Sequence, residues 1–493
     1  MNRARFAFVT LSAAVLAACA SQAPPVPRVA QQYQIAQPVA FAKNPDTQVY
    51  TLGDGGPNAQ NVNGLQVGAD GAFYFTVAAT PTATPWPTAG EIGRFNPVAR
   101  TQTFAAVPYM PGAIDETASG AVFVQEFNNT SGTPTVDRYS GIGGTDKQIT
   151  VAFGPPDFQA PWNGMSSNFV VGADGLLWFA SSLSPDLAEI HQSTNTATVF
   201  PLKTPSGGFP PNPQFVVLGT DHYIYTTDAT NNGVIRVAST GSSKGANTFT
   251  ALPGGFDNFV YSPQGITEGS DGRLYVSELA AGAQNYSGSQ LDSAVPAKSL
   301  SFTSVGLPAG AVPYLFAPDA NGVVYFSDYR YYGLGVYNTS TGSMVDLPLP
   351  APIDGGIVID SKGVPWSACI SALVLPRQAC VERVALTSTW EVFPAATLTL
   401  YTQDEYGNPL PPGLLGIGET GNSGPFTVSS SNTHVCTAQV VSGFDHNIAV
   451  NPLKAGTCTL SITDAHARTV KTYVTVVSGK GIPQMHVRPG RLR

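Results

Sequence analysis

Between residues 64 and 370 one local pattern occurs seven times: a short apolar run, a tight turn, and a second apolar run bearing an aromatic three residues past the turn. The first copy, residues 64–76, turns on Asp70-Gly71, where glycine tolerates positive φ and aspartate can bond its own backbone, so it reads as a β-hairpin. Later copies centre on Gly120, Gly175, His222, Gly272, Gly322 and Gly363, at intervals of 49, 55, 47, 50, 50 and 41 residues. The aromatics are Tyr74, Phe123, Trp178, Tyr225, Tyr275, Tyr325 and Trp366. A period of this length with four strand-like runs per repeat specifies propeller blades, whose small sheets bury their faces only by stacking on one another. The aromatic column is then packing between blades, and function is expected at a rim.

The expected fold class is all-β: a seven-bladed β-propeller followed by an immunoglobulin-like β-sandwich. Residues 47–394 form the propeller. Gln48 to Leu52 resembles the strands that close later blades and can complete the ring with the last blade, although Thr389 to Phe393 could fill the same place. Third strands are expected at Glu91–Asn96, Val136–Ser140, Glu189–Ser193, Val234–Ala238, Gly335–Asn338 and Val381–Leu386. In the fifth blade Ala280 to Ser299 is small and polar, and a longer loop is expected there. Two further insertions, Ala78 to Gly90 and Gly154 to Asn163, bring Trp86 and Trp162 over one face.

Arg3, Arg5, an apolar run from Phe6 to Val15 and then Leu16-Ala-Ala-Cys19 make residues 1–18 a secretory signal, and the last four residues resemble the bacterial lipobox. Cys19 is therefore the expected lipidation site, with the membrane as a partner and the outer membrane as the destination. Residues 19–46 read as a flexible tether. Removing residues 1–18 takes away two of the 24 basic residues against 32 acidic ones, a net charge of −10, which argues against nucleic acid as a partner. The other four cysteines pair within modules, Cys369 with Cys380 and Cys436 with Cys458. Short alternating strands from 395 to 478 form the sandwich, and Phe426 to Cys436 with Lys454 to Asp464 is similar to bacterial immunoglobulin-like domains of adhesins. Residues 479–493 read as a disordered basic tail.

Inner-strand starts and second-strand ends share one rim of a propeller. The starts carry Asn63, Asn168, Gln214, Gln264 and Tyr314; the ends carry Val77, Glu126, Ser181, Asp228, Glu278, Asp328 and Cys369. Glu126, Asp228, Glu278 and Asp328 are thus the candidate metal or cationic-ligand site, able to hold Ca²⁺ or Mg²⁺ if they converge, with Gln214, Gln264 and Tyr314 beside them. The alternative is that the carboxylates only solvate the rim.

Asp174-Gly-Leu-Leu-Trp-Phe179, Asp271-Gly-Arg-Leu-Tyr-Val-Ser-Glu278, Glu91-Ile-Gly-Arg-Phe95 and Val199-Phe-Pro-Leu202 resemble repeats of the streptogramin B (virginiamycin B) lyase family, over residues 60–394. The resemblance implies a seven-bladed propeller and a magnesium-dependent elimination that uses His and Glu near the channel. The chain departs from that pattern: Asn, Gln and Tyr stand at the inner-strand starts, His222 falls in a turn on the opposite rim, and His191 falls in a third strand. No catalytic residue is assigned. The expected function is an exported lipoprotein whose propeller binds a small molecule, glycan or protein without catalysis. The alternative is a metal-dependent lyase or lactone hydrolase with Glu278 as base.

Overall fold

The computed structural model describes residues 31–34, 48–54, 59–78, 89–128, 133–153, 168–181, 184–254, 262–280, 289–305, 312–318, 321–328, 333–340, 342, 344–348, 353–371, 378–384, 391–393, 397–403, 412–418, 426–441, 444–464, 467 and 469–480. The signal sequence, Cys19, Trp86, Trp162 and residues 481–493 of the expected tail lie outside them. Every element among the described residues is a strand.

Each predicted hairpin becomes the first half of a four-stranded antiparallel sheet. In blade four, for example, Pro213–Leu218, Tyr223–Asp228, Gly233–Ala238 and Asn247–Ala251 pair in chain order. The hairpin turns need a left-handed residue. Gly71 at φ 73° supplies it in blade one, and His222 takes the same conformation at φ 64° in blade four, which fixes the histidine in the turn as expected. Seven such sheets make the propeller, and the inner strands of neighbouring blades lie side by side around the ring.

The ring is closed by the chain's beginning. Gln48–Thr51 runs antiparallel to Gln378–Arg383 and is the fourth strand of blade seven, beside Pro365–Ser371 and Ile353–Ile359. The chain then crosses to blade one, where the side-chain amide of Gln102 accepts from Gly53 N at 3.1 Å and donates to Gly53 O at 3.1 Å. Asp54 N donates to the buried Glu91 at 2.9 Å. The rival closing strand, Glu391–Phe393, pairs instead with Gly413–Gly418 outside the ring.

All seven column aromatics are buried. Trp178 of blade three packs with Val216 and Ile224 of blade four, and Tyr74 of blade one packs with Ile114 and Val124 of blade two, which is inter-blade packing. Their polar ends are satisfied by the turn aspartates: Tyr225 and Tyr275 donate to Asp221 and Asp271 at 2.8 Å, and Trp178 Nε1 donates to Asp174 at 3.3 Å.

Two expectations are corrected. Blade five has its third strand, Gln290–Ala294, inside the stretch read as a loop; it was hidden because two of its four buried residues, Asp292 and Ser293, are polar and give no apolar run. Within the expected tether, Gln31–Gln34 forms a fifth strand on the outer edge of blade one, paired with Thr101–Phe104.

Beyond the ring, two further four-stranded sheets face one core. One contains Glu391–Phe393, Gly413–Gly418, Phe444–Pro452 and Cys436–Val441; the other contains Thr397–Gln403, Thr469–Lys480, Gly456–Thr463 and Thr427–Ser430. Gly413–Gly418, flanked by prolines and rich in glycine, carried no strand signal in the sequence. Cys436 bridges to Cys458 across the two sheets, whereas Cys369 and Cys380 are directly opposed partners on adjacent strands of blade seven.

Candidate functional site on the propeller rim

The inner strands carry one irregularity at the same place in six blades. The ladder slips after Val62, Pro111, Pro213, Pro263, Pro313 and Ile353, so the following residues bulge. A bulge re-aims a side chain. Gln214, Gln264 and Tyr314 occupy these bulges and are half-buried, as is Asn63. Asn63 and Asn168 bridge to the next inner strand: Asn63 Nδ2 donates to Pro111 O at 2.8 Å, and Asn168 both donates to Val216 O at 2.6 Å and accepts from Val216 N at 3.1 Å.

A second set of stitches was missed in the sequence. Five residues past the turn residues Gly71, His222, Gly272 and Gly322 stand Thr76, Thr227, Ser277 and Ser327. Thr76, Thr227 and Ser277 donate to the bulge carbonyls of the next blade, Gly112, Gln264 and Tyr314, at 2.6, 3.0 and 3.1 Å. Ser277 and Ser327 also accept from bulge N–H groups of their own blades, Gly265 at 2.8 Å and Leu315 at 2.9 Å. A hydroxyl recurring at one repeat coordinate was the available signal.

The four carboxylates do not form a ring at the channel mouth. Glu126, Asp228, Glu278 and Asp328 are buried, each opposite a proline: Pro111, Pro213, Pro263 and Pro313. Proline offers no N–H, so the ladder stops there and the carboxylate takes up the N–H of the segment leading into the blade. Asp228 accepts from Asn212 N at 3.0 Å, Asp328 from Val312 N at 3.4 Å, Glu278 from Gly254 N at 3.3 Å, and Glu126 from Tyr109 N. Each of these four residues, expected on the rim, lies buried in the wall with its own hydrogen-bond partners. Among the described residues no three His, Cys, Asp or Glu gather so as to hold a metal ion. The physical reason is that second-strand side chains face the neighbouring blades, while the channel is lined by inner strands.

Two of the acids face a second carboxyl. Glu126 accepts from Tyr139 Oη at 2.6 Å and lies beside Asp137; burial first, and then the Asp137 charge, hold its pKa well above the ordinary carboxylate range. Burial, with the Asp146 charge adding, pushes Asp137 up to about 6. Glu278 accepts from Asn232 Nδ2 of blade four and faces Asp292. Burial and the hydrogen bond to Glu278 push Asp292 up to about 8, against the opposing pull of Ser304, whose hydroxyl donates to it at 2.8 Å. Asp137 and Asp292 occupy the same repeat coordinate, opposite Val124 and Val276. Burial also raises Asp228, although four hydrogen-bond donors around it oppose the shift.

This architecture has a counterpart among solved structures. A streptogramin B lyase structure aligns over 69% of this chain and 97% of its own at 16% identity, with a TM-score of 0.50. The fold is a virginiamycin B lyase-like propeller. The virginiamycin B lyase of Staphylococcus aureus aligns over 68% of this chain and 98% of its own at 17% identity and a TM-score of 0.49. The WD40 repeats of RRP9 align over 71% and 99% at 10% identity and 0.46. No family model matches the sequence, and no curated protein matches it. Identity this low speaks to the fold alone. His191, the one propeller histidine outside a hairpin turn, pairs with Glu189 at 3.0 Å on a third strand, away from the inner ring.

Proposed function

We propose that this chain is an exported lipoprotein, anchored through Cys19, whose propeller binds an uncharged polar ligand at the rim without transforming it, with the second, immunoglobulin-like module as a spacer. One observation carries the reading. The carboxylates that a lyase or lactone hydrolase would use as base and metal ligands are buried in the wall and accept backbone N–H groups, while the inner-strand bulges carry the neutral, half-buried groups Gln214, Gln264 and Tyr314. Neutral amides and a phenol can orient a ligand by donating and accepting hydrogen bonds.

The test has two arms. The detergent-solubilised full chain is incubated with a type B streptogramin and Mg²⁺, and the products are read by mass spectrometry; the antibiotic should be recovered intact. The same protein is immobilised and offered a mixture of neutral oligosaccharides and short peptides. A retained compound should elute chemically unchanged, and Gln214→Ala/Gln264→Ala should reduce retention at least tenfold. Linearised antibiotic in catalytic amounts would establish the lyase reading in place of this one.

A further inference from the structure

The hairpin-turn rim, opposite the bulges, carries a carboxylate clasp that recurs from blade to blade and is missing from one. The residue just before the turn position is Asp70, Asp174, Asp221 and Asp271 in blades one, three, four and five. In blades one and four it holds a third-strand arginine that pairs across the ladder with the column aromatic, Arg94 opposite Tyr74 and Arg236 opposite Tyr225. Arg94 Nε donates to Asp70 at 2.7 Å. Arg236 donates to Asp221 through Nε at 3.0 Å and Nη2 at 2.8 Å, and its Nε also donates to Tyr225 Oη at 3.1 Å. In blade three Glu189 stands at the arginine's coordinate, and Lys244 of blade four bridges it and Asp174 at 2.6 and 2.8 Å. Each of these clasps sets a cation against a carboxylate.

Blade two keeps the arginine and lacks what holds it elsewhere. Arg138 stands opposite Phe123, at the coordinate of Arg94 and Arg236. The residue before its turn is Ser119 instead of aspartate, and Phe123 has no hydroxyl to offer. Arg138 Nε is buried with no hydrogen-bond partner. Directly across the next ladder, where blades one and four place Thr103 and Thr248, stands a second cation, Lys147. Among the described residues neither Arg138 nor Lys147 enters an ion pair. Two like charges opposed on one face of a sheet repel, and a buried donor without an acceptor costs free energy. The acids of this blade lie on its other face: Glu126, Asp137 and Asp146 cluster with Tyr139 toward blade one, whereas Phe123 packs toward blade three.

The sister blades show what group is missing at Arg138, because there a carboxylate takes up the arginine Nε. Arginine's planar fork matches a carboxylate, and the neighbouring lysine adds a second positive charge. We propose that Arg138 and Lys147 bind a small dicarboxylate, one of whose carboxylates takes at Arg138 the place that Asp70 and Asp221 take in blades one and four. This site lies on the rim opposite the bulges and is independent of the ligand proposed there.

The test follows thermal unfolding of the full detergent-solubilised chain with succinate as probe, at an ionic strength held constant with chloride. Succinate should give a saturable rise in Tm of about 2 °C at a tenfold excess over its Kd. Ser119→Asp supplies the missing carboxylate from within; it should raise Tm in the absence of succinate and remove the response, whereas Ser119→Asn should keep the response. Arg138→Gln should abolish it with the fold intact by circular dichroism. Arg94→Gln, at a coordinate where Asp70 already stands, should leave the response unchanged. No saturable response in the wild type, or one that survives both Ser119→Asp and Arg138→Gln, overturns the proposal. So does a sulfate response of equal size that also requires Arg138, which would make the pair a site for any anion.

Discussion

Replacing Asp292 by Asn isolates the cost of facing two carboxyls inside the wall. In the unfolded chain this aspartate loses its proton near pH 4, and in the folded chain near pH 8. Between those values the folded state binds the extra proton, so stability falls as pH rises through the window, by about 1.4 kcal/mol per unit for one fully retained proton. The whole span would give about 5 kcal/mol as an upper limit; because Asp292 interacts strongly with a neighbouring acid, less than that, roughly 2 to 3 kcal/mol, is expected at pH 8. Asn keeps an acceptor for Ser304 and offers Glu278 an N–H that does not titrate. The variant should therefore match the wild type near pH 4 and exceed it by several degrees in Tm at pH 8, measured by scanning calorimetry at half-unit intervals. A difference that stays constant with pH, or a variant less stable at pH 8, would refute the reading of Asp292 as a proton-holding group in the folded wall.

Asp228→Asn should lower stability by about 2 kcal/mol, since an Asn amide N–H would face that of Asn231 and leave a buried donor unpaired; chemical denaturation checks it. Non-reducing peptide mapping should recover Cys369 linked to Cys380 and Cys436 linked to Cys458, and Cys436→Ser/Cys458→Ser should cost about 2 to 4 kcal/mol. Free thiols at these positions would count against the assignment. Cys19→Ala should move the chain out of the membrane fraction and abolish incorporation of a labelled fatty acid.

What the sequence made legible follows from what the backbone alone decides. A turn at Gly71 or His222 with an aromatic three residues later fixes a hairpin and its inter-blade face, and all seven aromatics are buried accordingly. The closing strand was legible only as a choice, because Gln48–Thr51 and Glu391–Phe393 have similar patterns and only long-range pairing separates them. The direction of Glu126, Asp228, Glu278 and Asp328 was not legible. Alternation tells which side chains share a face of a strand, but whether that face meets water or another blade depends on how the sheets stack. A charged residue also biases the reading toward solvent, and the same bias concealed the third strand of blade five around Asp292. The clue lay in pairing: every one of the four acids stands opposite a proline, where the ladder ends and the N–H groups of the lead-in backbone find their acceptor in the carboxylate.

The central proposal is that these carboxylates hold the wall together through the backbone N–H groups they accept, and not through a cation. Calorimetric titration of Ca²⁺ and Mg²⁺ into the full chain at pH 7, in parallel with Glu278→Gln, tests it most directly. The account predicts no saturable uptake that depends on Glu278. Stoichiometric binding in the wild type that Glu278→Gln abolishes, with the fold intact by circular dichroism, would contradict it.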